Sequence, residues 1–74
     1  MAPADPEAWN DLGVLERKNG ETTAALGSFQ HATALKPSFV NAVFNLALAY
    51  EALNQWQPAT KQALRVIELT PALA

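Results

Sequence analysis

Few side chains in this sequence can do chemistry, and they lie far apart. General acid–base catalysis needs two carboxylates, or a carboxylate and an imidazole, within hydrogen-bond reach of one substrate. Asp11, Glu16, Glu21, Glu51 and Glu68 supply carboxylates, but none has a histidine or cysteine companion at a recognisable spacing. His31 is the only histidine and follows Gln30, which predicts a solvent-facing or partly buried imidazole on the outer face of a helix. Ser28 and Ser38 have no base at the spacing that would activate a hydroxyl. With no cysteine, disulfides and thiolate metal sites are excluded, and a single histidine excludes multi-histidine zinc or iron centres. No strand precedes a glycine-rich, phosphate-cradling loop. The expectation is a chain that is no enzyme, with no catalytic residue, no metal site and no cofactor.

Other ligand classes are narrowed by charge and hydropathy. Five basic against seven acidic residues give a net charge of −2, and the basic ones are scattered. A nucleic-acid surface needs Lys and Arg clustered along a phosphate track, so no nucleic-acid partner is expected. No apolar run approaches the roughly 20 residues of a membrane span. The stretch MAPADPEAW lacks both a basic segment and an apolar one, unlike a signal peptide. If Met1 is the true start, that favours the cytoplasm. Half of the residues are hydrophobic, many of them alanine, and 74 residues make at most one domain. The composition points to a small alanine-rich helical protein.

Helix signals are frequent along the chain. Asp5 is a candidate N-cap and Pro6 suits a first helical position. Trp9, Leu12, Gly13 and Glu16 then fall at i, i+3, i+4 and i+7, one face of a helix. Asn19-Gly20 closes it. A second helix is expected from about Thr22 to Leu35, with Ala25, Phe29 and Ala32 on one face, and Pro37 keeps it from continuing. Ser38 is a candidate cap for a third helix, in which Val43, Leu46, Ala47 and Tyr50 repeat the same spacing. Asn54-Gln55 makes the next turn, Asn54 tolerating positive φ. A fourth helix follows from about Trp56, with Pro58 harmless in its first turn, and ends before Pro71. Junctions of two or three residues force successive helices to lie antiparallel.

The chain also repeats itself. A shift of 34 residues carries Pro3 onto Pro37 and Pro37 onto Pro71, Ala8 onto Ala42, Leu12 onto Leu46, Ala25 onto Ala59 and Leu35 onto Leu69. Several mismatches read as exchanges of bulk. Trp9 and Phe29 are large where Val43 and Ala63 are small, while Tyr50, Trp56 and Val66 are large where Glu16, Thr22 and Ala32 are smaller. Swaps of this kind can conserve the volume of a packed core. Two units follow, about residues 6–39 and 40–73.

A 34-residue helix–turn–helix unit with Trp9, Leu12, Gly13, Gly20, Ala25, Phe29, Ala32 and Pro37 at these offsets resembles the tetratricopeptide repeat. The second copy reads Val43, Leu46, Ala47, Tyr50, Asn54, Ala59, Val66 and Pro71. Glu16 departs from the family's tyrosine, Val43 from its tryptophan and Ala63 from its aromatic. The resemblance implies an all-α fold of two stacked antiparallel hairpins, an α-solenoid of four helices. It also gives Gly13 a reason. Glycine costs about 1 kcal/mol against alanine inside a helix, and here the two helices of a hairpin cross too closely for a side chain. Ala47, Ala25 and Ala59 would mark the same close approach. Gly27, inside the second helix, has no such reason.

Tandem units of this family line a concave groove with the first helix of each hairpin. Carried onto this chain, the groove comprises Asn10, Val14 and Arg17, with Lys18 beside them, then Asn41, Phe44, Asn45 and Leu48. The implied function is protein–protein interaction, asparagines bonding an extended backbone and Val14, Phe44 and Leu48 taking apolar side chains. Phe44 and Leu48 could equally pack against a neighbouring hairpin, and Arg17 and Lys18 could be merely solvated. Of the clamp with which some members hold a chaperone's C-terminal carboxylate, only Asn45 matches. Asn10 and Val14 stand where a lysine and an asparagine would be, so chaperone-tail binding is disfavoured. Arrays of this kind usually carry a polar cap. The given sequence stops at Pro71-Ala-Leu-Ala, where a third hairpin or such a cap would start, and Leu53, Val66, Leu69 and Leu73 are the candidates for an open apolar flank. That flank suggests a piece of a longer array or a homodimer. Two alternatives to peptide binding follow: structural self-association through the flank, or a substrate-selecting segment of a larger enzyme.

Overall fold

The computed structural model describes residues 4–70. They form four helices, α1 (Pro6–Lys18), α2 (Thr22–Leu35), α3 (Val40–Ala52) and α4 (Trp56–Leu69). The start of α1 is set locally. The Asp5 carboxylate accepts a hydrogen bond of 3.0 Å from the Glu7 N–H, and Pro6 sits at the first helical position, where no N–H is needed.

α1 and α3 end in the same way. At the end of α1 the Glu21 N–H donates to Glu16 O at 2.8 Å and the Gly20 N–H to Arg17 O at 3.0 Å. At the end of α3 the Gln55 N–H donates to Tyr50 O and the Asn54 N–H to Glu51 O, both at 2.9 Å. This nested pair is a Schellman closure, which requires a left-handed residue at its second-last position. Gly20 at φ 81° and Asn54 at φ 61° fill that place. Asn can do so because its short polar side chain tolerates the left-handed region better than most.

The start of α3 differs from expectation. Ser38 does not cap it; the N-cap is Phe39, with no side-chain cap bond. The Phe39 N–H donates back to Lys36 O at 3.0 Å, so Pro37 and Ser38 are the central residues of a β-turn. The first helical carbonyl is that of Phe39, which accepts from Ala42 and Val43. Proline's preference for the second turn position has shifted the cap one residue on.

α1 packs on α2 and α3 on α4 as two antiparallel hairpins, and α3 then lies against α2 and more lightly against α1. The core forms at this junction. Ala25 and Phe29 of α2 and Leu46 and Ala49 of α3 are buried together, with Val14, Leu26 and Tyr50 packed around them. Phe29 is the largest side chain buried outright, at 0% exposure. Burying a phenylalanine contributes up to about 3 kcal/mol, against about 0.8 kcal/mol for the single methyl of an alanine. Gly13 makes room for it, since a Cβ there would stand 2.5, 2.7 and 2.9 Å from three Phe29 ring carbons. Those distances lie inside van der Waals contact, so the glycine is set by the ring of the opposing helix.

Leu12 and Leu46 share a repeat position but not an environment. Leu46 is buried under the first hairpin, whereas Leu12 is 42% exposed. Among the described residues no helix lies over that side of α1, and periodicity alone cannot tell a covered stripe from an open one.

Candidate protein-interaction surface

Of the side chains capable of chemistry, Ser28, Glu16 and His31 are held in structural contacts. The Ser28 hydroxyl is buried and donates to Glu16 Oε1 at 2.6 Å. Glu16, in place of the family's tyrosine, thereby satisfies a polar group that would otherwise be costly to bury. His31 is exposed as expected, its ring stacked on Trp9 with centroids 4.3 Å apart and Nδ1 2.9 Å from Gly27 O. Asp11, Glu21, Glu51, Glu68 and Ser38 are exposed and separate. Among the described residues no three of His, Asp and Glu gather where they could hold a metal ion. None of the described helices is long and apolar enough to cross a membrane.

The groove positions divide into a covered half and an open half. Asn10 is buried on α1, where its Oδ1 accepts from Asn45 Nδ2 of α3 at 3.0 Å. Val14 is half-buried against the core cluster. Arg17 is half-buried too. On α3, Asn41 is exposed, Asn45 and Leu48 are half-buried, and Phe44 is 52% exposed. Of the proposed flank, Leu53, Val66 and Leu69 are half-buried, and Leu73 lies outside the described residues. The exposed large apolar side chains of α4 are Trp56, Leu64 and Ile67.

Phe44 and Leu48 open onto a pocket of about 200 Å³ between α3 and α4, walled also by Ala47, Glu51, Trp56, Ala59, Thr60 and Ala63. Its origin lies in the repeat. Phe29 of the first hairpin becomes Ala63 of the second, and the Gly13 position becomes Ala47. The added methyl restores only a fraction of the lost ring. Trp56, which could have restored the volume, stays 56% exposed at the rim. Small residues at these two positions leave room in the pocket wall. An engineered cavity of about 150 Å³ holds benzene, so this space suits one large side chain. It is smaller than the roughly 300–1,000 Å³ typical of small-molecule sites.

Two hairpins closed by matching Schellman turns, with an open apolar face on the second, define a helical repeat module. The tetratricopeptide repeat family model matches residues 1–38 and again residues 10–74, and the chain belongs to that family. Its relatives include the peroxisomal targeting signal receptor of Kluyveromyces lactis, 31% identical over 67 residues, or 90% of this chain and 12% of that protein. The PEX5-related protein of Mus musculus is 30% identical over 69 residues, 93% of this chain and 12% of the relative. The peroxisomal targeting signal receptor of Saccharomyces cerevisiae is 31% identical over 67 residues, 90% of this chain and 11% of its own length. The chain thus spans about 12% of the length of these curated relatives.

Sequence reasoning missed the pocket's α4 wall, made by Trp56, Ala59, Thr60 and Ala63. The 34-residue shift held the signal, because these positions are the images of Thr22, Ala25, Leu26 and Phe29.

Proposed function

We propose that this chain is a non-catalytic module that binds an extended segment of a partner protein across the open face of α3 and the adjoining side of α1. The observation that carries the reading is Phe44, half exposed at the mouth of an apolar pocket sized for one side chain. A partner's apolar residue enters beside Phe44 and Leu48, and exposed Asn41 bonds the partner's backbone. Asn10 holds the Asn45 amide in place through their mutual hydrogen bond, Val14 supports α1 from beneath, and Arg17 adds charge at the edge. The relatives' name as receptors for a targeting signal fits a repeat that recognises segments of other proteins.

The test is selection of peptides on the immobilised chain from a displayed random library, followed by fluorescence anisotropy. Selected peptides are expected to bind Phe44→Asp at least tenfold more weakly than the unaltered chain, about 1.4 kcal/mol. Failure to select any peptide, or equal binding to Phe44→Asp, contradicts the reading.

A further inference from the structure

The pocket between α3 and α4 is the image of a surface that the chain already covers. α3 rests its Leu46, Ala49 and Tyr50 on Val14, Ala25, Leu26 and Phe29 of the first hairpin. Shifting those four by 34 gives Leu48, Ala59, Thr60 and Ala63, all of them pocket walls. The second hairpin therefore repeats the same seat, with nothing on it among the described residues.

A matching helix face also lies open. Shifting Leu46, Ala49 and Tyr50 back by 34 gives Leu12, Leu15 and Glu16 of α1. Leu12 is 42% and Leu15 60% exposed. The sizes correspond as well. Inside the chain a small Ala49 meets a large Phe29; at the open ends a large Leu15 would meet a small Ala63. Both pairings fill their space, and packed interiors are sensitive to volume at the level of one methylene.

We propose that α1 of a second copy of this chain seats its Leu12–Leu15 face in the α3–α4 pocket of the first, continuing the repeat from one molecule to the next. The two surfaces are different patches of the molecule, so the contact is heterologous and runs head to tail. The polar links inside the chain do not recur across it. The Asn10–Asn45 bond maps onto Phe44 and Asp11, and the Gln30–Tyr50 bond onto Leu64 and Glu16. What holds the contact is accordingly its apolar pairs, led by Leu12 and Leu15, and sulfate, which strengthens apolar burial, tightens it. This inference rests on the reading that the chain works through protein contacts. A second copy and a peptide compete for this one pocket; the test contains no peptide, so the failure of this inference and that of the peptide groove are told apart.

The experiment is sedimentation equilibrium of the full chain from about 10 µM to about 1 mM, a span that covers weak association. The unaltered chain is expected to rise from 8.0 kDa through 16 kDa and beyond. Leu15→Glu, which spoils the helix face, should stay at 8.0 kDa. So should Ala47→Gly/Ala63→Phe, which rebuilds the first hairpin's glycine–ring pair and fills the pocket. An equimolar mixture of the two variants should reach 16 kDa and stop, since one intact pocket meets one intact helix face. Thr60→Glu serves as a second pocket variant, and circular dichroism confirms that each variant is helical. An unaltered chain at 8.0 kDa throughout, or a mixture that stays there, overturns the proposal. So does a dimer that both variants leave intact.

Discussion

Replacing Gly13 with alanine sets two effects of opposite sign against each other. On helix propensity alone the change should stabilise α1 by about 1 kcal/mol, as it would at an exposed position. Against this, the new methyl meets the Phe29 ring at 2.5–2.9 Å. The ring has nowhere to move, because it is wholly buried with Ala25, Leu46 and Ala49. Overpacking of this kind costs roughly 1–3 kcal/mol, and relieving it by a local shift disturbs the single cluster that joins the two hairpins. With the ring confined the steric term outweighs the propensity gain, and Gly13→Ala should be net destabilising by up to about 2 kcal/mol. Urea denaturation followed by circular dichroism measures this, with trimethylamine oxide added where a variant is barely folded. A double-mutant cycle with Phe29→Ala isolates the cause. Once the ring is gone the alanine at position 13 should become stabilising, as the Ala47 and Ala63 pair of the second hairpin already implies. If Gly13→Ala stabilises the otherwise unaltered chain, the packing account is refuted.

The other substitutions probe the backbone. Gly27 lies in α2 with nothing within 4 Å of an added Cβ and no positive φ, so Gly27→Ala should raise stability by about 0.5–1 kcal/mol in the same urea assay. Gly20→Ala and Asn54→Ala, at φ 81° and 61°, should each lose about 1–2 kcal/mol, because an alanine at positive φ strains the Schellman closure. Asn54→Gly should be neutral or slightly stabilising by comparison.

Much of the architecture was legible because it is locally encoded. Asp5, Pro6, Gly20 and Asn54 mark helix ends through backbone requirements that no distant contact alters, and α2 begins at Thr22 and α4 at Trp56 as the sequence leads one to expect. Gly13 announced a close approach, although the sequence did not name the Phe29 ring as its cause. Ser38 misled because two local signals overlapped there, and the proline turn overrode the hydroxyl. The fate of Leu12 was beyond periodicity, which identifies an apolar face without saying what covers it. The pocket needed the most context. Its α4 wall, with Trp56 56% exposed at the rim, shows only when each position is compared with its image 34 residues earlier and with what covers that image.

The account's central claim is that the open face of α3 contacts a partner. Its most direct test is a heteronuclear NMR titration of the labelled chain with a selected peptide. The largest amide shifts should fall at Asn41, Phe44, Asn45 and Leu48, with a smaller group around Arg17. Shifts centred on Leu64 and Ile67 of α4, with α3 unmoved, would contradict the claim and place the working surface on the opposite helix of the hairpin.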